Sequence, residues 1–220
     1  MDKNSIKEAD LYLFTGINQD KDAILDMRAF VKQKFPAATL CLGGPIVWSF
    51  NTAGKIKDLD SFDYLFVGDG EESLVEFVKA YARGARPGSK LINVKKRFEL
   101  AAARPMHRGL MMKSIGRYYG AVVEVSRGCP FLCEFCDIRV LPDNNRAHVV
   151  APALIVEERD NFARAGVSQA LLACDNFIGS PAWAEEVCDA IIAWREKTGL
   201  GIALYTWLTI DLFRHPRLLK

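Results

Sequence analysis

The sequence predicts an α/β protein in which parallel strands alternate with helices in two successive segments. Three observations predict it. Half of the 220 residues are apolar and a quarter are charged, with 16 Gly and 9 Pro, the profile of a chain that builds a core. Short apolar runs that close on glycine or on a polar pair recur along the chain. Between them lie longer stretches with apolar residues at helical spacing, and such alternation argues for parallel sheets covered by helices.

Each element follows in order. ADLYLFTG, residues 9–16, reads as a strand, and QDKDAILDMRAFVKQKF, residues 19–35, places Ile24, Met27, Val31 and Phe35 near the helical period. ATLCLGGP (38–45) and FDYLFVGDG (62–70) repeat the passage from strand to glycine turn. EESLVEFVKAYARG (71–84) is a helix with acidic residues in its first turn and Gly84 at its end. Residues 88–118 break the rhythm: from Lys95 to Arg117 seven Lys or Arg stand against Glu99 alone, which reads as a solvated basic connector. Alternation resumes with a strand at 119–126 (YGAVVEVS), a cysteine loop, a helix at 152–166 (PALIVEERDNFARAG) and a strand at 169–176 (QALLACDN). A helix at 181–199 follows, with Ser180 as N-cap and Pro181 at its first position, then a strand at 200–210 and the start of a third helix in DLFRHPRLLK. Trp183 and Trp194 on the long helix are expected in the core. The segments are therefore 1–87, a connector at 88–117, and 118–220.

Charge excludes little. Lys+Arg number 29 against 27 Asp+Glu, a formal net charge of +2, which gives no electrostatic case for a nucleic-acid partner. MDKNSIKEAD lacks the pattern of a secretory signal, and the most apolar long stretch, AHVVAPALIV, falls short of the roughly 18 to 20 residues of a membrane span. The expectation is a cytoplasmic protein. There thiols stay reduced, and a tight cysteine group reads as metal or redox chemistry before disulfides.

That group is Cys129, Cys133 and Cys136 in SRGCPFLCEFCD, residues 126–137. Three thiolates following a strand can curl round one point and hold three corners of a cubane cluster, leaving one iron open to a substrate or cofactor. Structural zinc wants four donors and would recruit His148 or Cys174; ferredoxin clusters take four thiolates at other spacings. Zinc and buried structural cysteines stay open as alternatives at this level. Cys174 and Cys188 read as small core residues, and His107 and His148 as solvent-exposed loop residues. Asp175 and Asn176 stand at the C-terminal end of an apolar strand, where α/β barrels keep their sites.

The cysteine stretch resembles the radical S-adenosylmethionine (SAM) superfamily, in which an aromatic residue precedes the last of three cysteines, the place Phe135 holds here. The order of strand, RGCPFLCEFCDI and helix is similar to the first βα unit of a radical SAM barrel. The resemblance implies that Cys129, Cys133 and Cys136 bind a 4Fe-4S cluster whose open iron chelates SAM. An external electron donor then drives SAM to a 5′-deoxyadenosyl radical, with the protein positioning cofactors that carry the chemistry. It also implies a contact from Phe135, Asp175 or Asn176 to SAM, and DNFIG resembles a stretch of cobalamin-dependent members.

The N-terminal segment is similar to cobalamin-binding domains, which carry Ser-x-Leu and, at a set interval, Gly-Gly. Thr15-Gly16-Ile17 and Gly43-Gly44 fit that interval, and VGDGEES, with Gly68, Gly70 and Glu71, resembles the Gly-Glu loop of cobalamin-binding relatives. Asp-x-His-x-x-Gly is absent, little chain precedes Thr15, and the C-terminus falls within what reads as the third barrel helix. The resemblance thus implies a partial Rossmann-like cobalamin-binding domain followed by the first βα units of a radical SAM partial TIM barrel, cut at both ends. The implied activity is cobalamin-dependent methyl transfer to an unactivated carbon of a small molecule, with weak corrinoid binding and little turnover by this chain. Two alternatives stand beside it: a methylthiotransferase acting on tRNA or protein, whose N-terminal domain would need further cysteines where only Cys41 is offered, and a non-catalytic remnant.

Overall fold

A computed structural model describes residues 3–94, 96–117, 120–136, 138 and 143–220. Lys95 of the basic stretch, Tyr119 of the expected strand and Asp137 of the cysteine stretch lie outside the described residues. The chain forms two compact units, Met1–Phe98 and Glu99–Lys220.

The first unit is a parallel sheet in the order β1 (Leu11–Thr15), β2 (Thr39–Gly43), β3 (Tyr64–Val67), β4 (Leu91–Asn93). Alternation along the strands sends side chains to both faces. Leu40, Leu42, Leu65 and Val67 pack with Ile24 and Val31 of α1 (Lys21–Lys34) and with Ile46 and Val47 of α2 (Pro45–Thr52). Cys41 and Phe66 face the other way onto Phe77 of α3 (Ser73–Ala82). Burial on both faces is why ATLCLGG is apolar without alternation. Two features differ from expectation. The glycine turn after β2 runs straight into α2, with Pro45 in its first turn, and β4 lies inside the stretch expected to be a connector. A three-residue strand is too short for periodicity to reveal; β3 supplies its hydrogen bonds, with Leu65 N donating to Lys90 O and Val94 N to Val67 O.

The second unit holds a parallel sheet in the order β5 (Ala121–Glu124), β8 (Gln169–Ala173), β9 (Ala203–Thr206), and a two-stranded antiparallel pair, β6 (Ser126–Arg127) with β7 (His148–Val149). Between the units' sheets in sequence, α4 (Arg108–Ser114) adds further order to the basic stretch, capped by His107, whose Nδ1 accepts from Leu110 N. α5 (Pro152–Arg164) and α6 (Pro181–Thr198) pack together. Trp183 and Trp194 are buried as expected. Trp183 Nε1 donates to Val150 O, Trp194 Nε1 donates to Asp160 Oδ1, and the buried Arg159 guanidinium lies 4.3 Å from the Trp194 ring centroid. α6 stops at Gly199, whose φ of 66° and N–H bond to Arg195 O close the helix. Ser180 stands at the N-cap, but its side chain accepts no capping bond. The last expected strand is only four residues long, and Ile210–Arg214 is a 3-10 turn instead of the start of a helix. Pro216 disfavours helical backbone at His215 and so ends it. Among the described residues no helix is long and apolar enough to cross a membrane.

Candidate functional site

The cysteine loop is closed at its neck. β5 delivers the chain to Val125, whose N–H donates to Ala173 O at the end of β8, and Val150 N returns a bond to Val125 O. Ser126 pairs with Val149 and Arg127 with His148. Gly128 then takes φ 89°, and a Cβ there would lie 2.2 Å from Arg146 O; only glycine passes through this neck. Its amide donates to Asp175 Oδ2 at 2.6 Å. Cys129 N donates to Asn144 O at 2.9 Å, and Asn176 Nδ2 lies 3.9 Å from Cys129 Sγ.

Beyond the neck the loop opens. Cys136 N donates to Cys133 O, so these two cysteines share one turn, and Cys133 is exposed. Phe135 is 92% exposed. The three thiols are free but do not converge: among the described residues no three His, Cys, Asp or Glu side chains gather as a metal site. Cys129 is tied to the neck by its amide, whereas Cys133 is exposed. The donor set still fits an iron-sulfur cluster, three unpaired thiols on one loop with a fixed base. Zinc draws no fourth donor from the expected residues. His148, expected in solvent, is only 14% exposed in its side chain, and its Nε2 is engaged with Asp143 O. Cys174 Sγ contacts Thr206 Oγ1 and Trp207 O, and burial pushes its thiol up. Burial likewise raises Cys188, and Cys41, packed in β2, is pushed up to about 12. These three are packing residues that resist ionisation.

Asp175 and Asn176 stand at the end of β8, as the strand's apolar run implied, and both turn toward the cysteine loop. Asn176 is 2% exposed; its Oδ1 accepts from Ile178 N, and Nδ2 also reaches Thr209 Oγ1. Sequence reasoning missed Asn144 and Gly128. Gly128 carried a signal, a glycine directly before the first cysteine, whereas Asn144 acts through its main-chain carbonyl, which sequence does not reveal.

In the first unit the expected glycines line the C-terminal ends of the strands. Thr15 pairs with Gly43 in register, and Ile46 N donates to Gly16 O. Gly44 has φ 84°, and a Cβ there would lie 2.5 Å from Thr15 Oγ1. Thr15, Gly16, Gly43 and Gly44 are therefore together at one sheet edge. Gly68, with φ 100°, turns after β3, where a Cβ would meet Val94 O at 2.6 Å. Gly70 O accepts from Leu74 N at the start of α3, and Glu71 is exposed just before that helix.

No family model matches the chain. Among curated proteins, an uncharacterized methyltransferase of Synechocystis is 27% identical over 206 residues, covering 93% of this chain and 36% of that protein. The hopanoid C-2 methylase of Rhodopseudomonas palustris is 25% identical over 185 residues, covering 82% and 33%. The chain thus spans about a third of the length of these relatives. Among solved structures, the radical SAM methyltransferase TsrM of Kitasatospora setae superposes with TM-score 0.68 at 15% identity in its form with cobalamin and a [4Fe-4S] cluster, covering 90% of this chain and 44% of that one. This chain is similar in fold to TsrM. The form of TsrM with tryptophan and a SAM analogue gives TM-score 0.64 at 14% identity, over 88% of this chain and 42% of that one. The likeness in fold runs across both units of the mixed α/β chain, and both curated relatives carry methyltransferase names.

Proposed function

We propose that this chain carries the cofactor-binding core of a cobalamin-dependent radical SAM methyltransferase, acting on a small molecule. The observation that carries the reading is the cysteine loop: three free thiols beyond a neck fixed by the β6–β7 pair, Gly128 and Asp175. Cys129, Cys133 and Cys136 would hold a 4Fe-4S cluster, whose chemistry is one-electron reduction of SAM at an open iron. The protein's own part is positional. The neck fixes Cys129 against the end of β8, where α/β barrels keep their sites, and the turn from Cys133 to Cys136 presents two donors together. The Thr15–Gly16 and Gly43–Gly44 edge supports a corrinoid site in the first unit, where a ligand tail can approach backbone with no side chain between. The methyltransferase names of the relatives and the fold of TsrM support the same reading, as do the cobalamin and [4Fe-4S] cluster that TsrM binds; a partial Rossmann-like domain and a partial TIM barrel are the architectures it implies. A methylthiotransferase finds no support in Cys41, which is buried in β2.

Anaerobic reconstitution tests the reading. Iron and sulfide should be taken up in equal amounts with a brown visible spectrum, and Ala at Cys129, Cys133 or Cys136 should abolish uptake while Cys174→Ala retains it. Equilibrium dialysis with hydroxocobalamin tests the first unit. A colourless protein carrying stoichiometric zinc would overturn the assignment.

A further inference from the structure

Asp175 and Asn176 differ from ordinary strand-end polar residues in where their polar atoms go. Asp175 Oδ2 accepts at 2.6 Å from the N–H of Gly128, the residue just before the first cysteine. Asn176 is 2% exposed and fixed from both ends: Oδ1 accepts from Ile178 N at 3.2 Å, so Nδ2 faces Cys129 Sγ at 3.9 Å and Thr209 Oγ1 at 3.5 Å. Ile178 N needs an acceptor, so the amide does not turn over. An N–H held at a sulfur in a dry site favours whichever state puts more charge on that sulfur.

We propose that Asp175 and Asn176 are positioning residues for the cysteine loop, Asp175 by pinning Gly128 and Asn176 by an N–H···S bond that raises the reduction potential of the cluster the loop takes. The inference rests on the cluster reading above and extends it, because it assigns these side chains to the loop and its potential, beside any contact with SAM. Cys129 is in this respect unlike Cys133, which the structure leaves exposed. The three ligands are therefore unequal, and the strand end of β8 controls the one at the neck. Thr209 competes for the same N–H, so it weakens the bond to sulfur.

The test uses the full chain reconstituted anaerobically, as wild type, Asn176→Ser, Thr209→Val and Asp175→Ala, with iron and sulfide content measured first. Midpoints are then read by spectroscopic titration with a low-potential reductant. Ser retains an acceptor for Ile178 N, and its shorter side chain withdraws the amide N–H that Asn176 holds at sulfur. At the wild-type midpoint, the reduced-to-oxidised ratio in Asn176→Ser should fall about tenfold, a shift of about 59 mV to lower potential for a one-electron couple. Thr209→Val leaves Asn176 intact and should shift the midpoint the other way. In cluster-free protein, Asp175→Ala should speed hydrogen exchange of the Gly128 amide and alkylation of Cys129 relative to Cys133. A loaded cluster whose midpoint is unmoved by both Asn176→Ser and Thr209→Val overturns the role of Asn176, and unchanged exchange and alkylation in Asp175→Ala overturn that of Asp175. A wild-type chain that takes no cluster overturns the earlier reading instead.

Discussion

Replacing Gly128 by Ala tests whether the neck of the cysteine loop is as tight as its geometry implies. At φ 89° a side chain is strained whatever its surroundings, at roughly 1–2 kcal/mol. The added Cβ would also lie 2.2 Å from Arg146 O, a main-chain atom beside the β6–β7 pair that cannot swing aside. Relief requires the two arms of the neck to part, which loosens the Cys129 N bond to Asn144 O and the Gly128 N bond to Asp175, each worth about 1 kcal/mol, more for the charged acceptor. The sum is about 3–5 kcal/mol. Gly199→Ala is the control: its φ is 66° and no atom lies within 4 Å of the Cβ, so the strain stands alone at roughly 1–2 kcal/mol. Guanidinium unfolding followed by tryptophan fluorescence, with Trp48 of the first unit replaced by Phe in both variants, reads the second unit, where Trp183 and Trp194 are buried. Gly128→Ala should be the costlier by at least about 1.5 kcal/mol and should lose iron on reconstitution. Equal midpoints for the two variants with full iron uptake would refute the argument.

Thiol chemistry separates the six cysteines: in the cluster-free chain at pH 8, iodoacetamide should label the exposed Cys133 fastest, whereas Cys41, pushed up to about 12, stays unlabelled until the fold opens; peptide mapping by mass spectrometry reads the order. Glu158 on α5 accepts from Met106 N and is raised by burial above its ordinary 4.5. The folded state therefore binds its proton more tightly than the unfolded chain, and this group's contribution to stability falls as pH rises from about 4.5 through the raised value. Glu158→Gln should flatten that slope in denaturation curves taken between pH 4 and 8; an unchanged slope would show that another group carries it.

Much of this was legible because parallel sheets write long, simple patterns. The strands at 11–15, 39–43, 64–67 and 169–173 and the helices at 21–34 and 181–198 are apolar runs and periodic stretches long enough to be read directly. β4, β6 and β7 were not, since two or three residues carry no period and owe their form to a neighbouring strand. The connector failed for the same reason: it is polar and basic in composition, yet β4 and α4 lie within it. The cysteines were legible as chemistry, being reactive residues at a specific spacing. Their surroundings were not, because the neck is built from main-chain atoms of Asn144 and Arg146 that come from the far side of the loop.

The two candidate sites rest on arguments of different strength, and the glycines show why. Gly44 must be glycine for the fold itself, since its φ is positive and Thr15 Oγ1 fills the place of a Cβ. Gly68 is required in the same way by Val94 O. A residue whose identity the fold already explains adds nothing by itself for a ligand, so the corrinoid reading draws on the joint placement of Thr15, Gly16, Gly43 and Gly44. The loop cysteines are the reverse case. Cys133 is exposed, so no packing requirement explains a thiol there, and Cys129 and Cys136 lie on the same loop. Cys41, Cys174 and Cys188 show what structural cysteines in this chain look like, buried or half-buried with their thiols held protonated. An exposed thiol that the fold does not need, on a loop whose neck the fold fixes through Gly128 and Asp175, is what the proposed cluster site draws on.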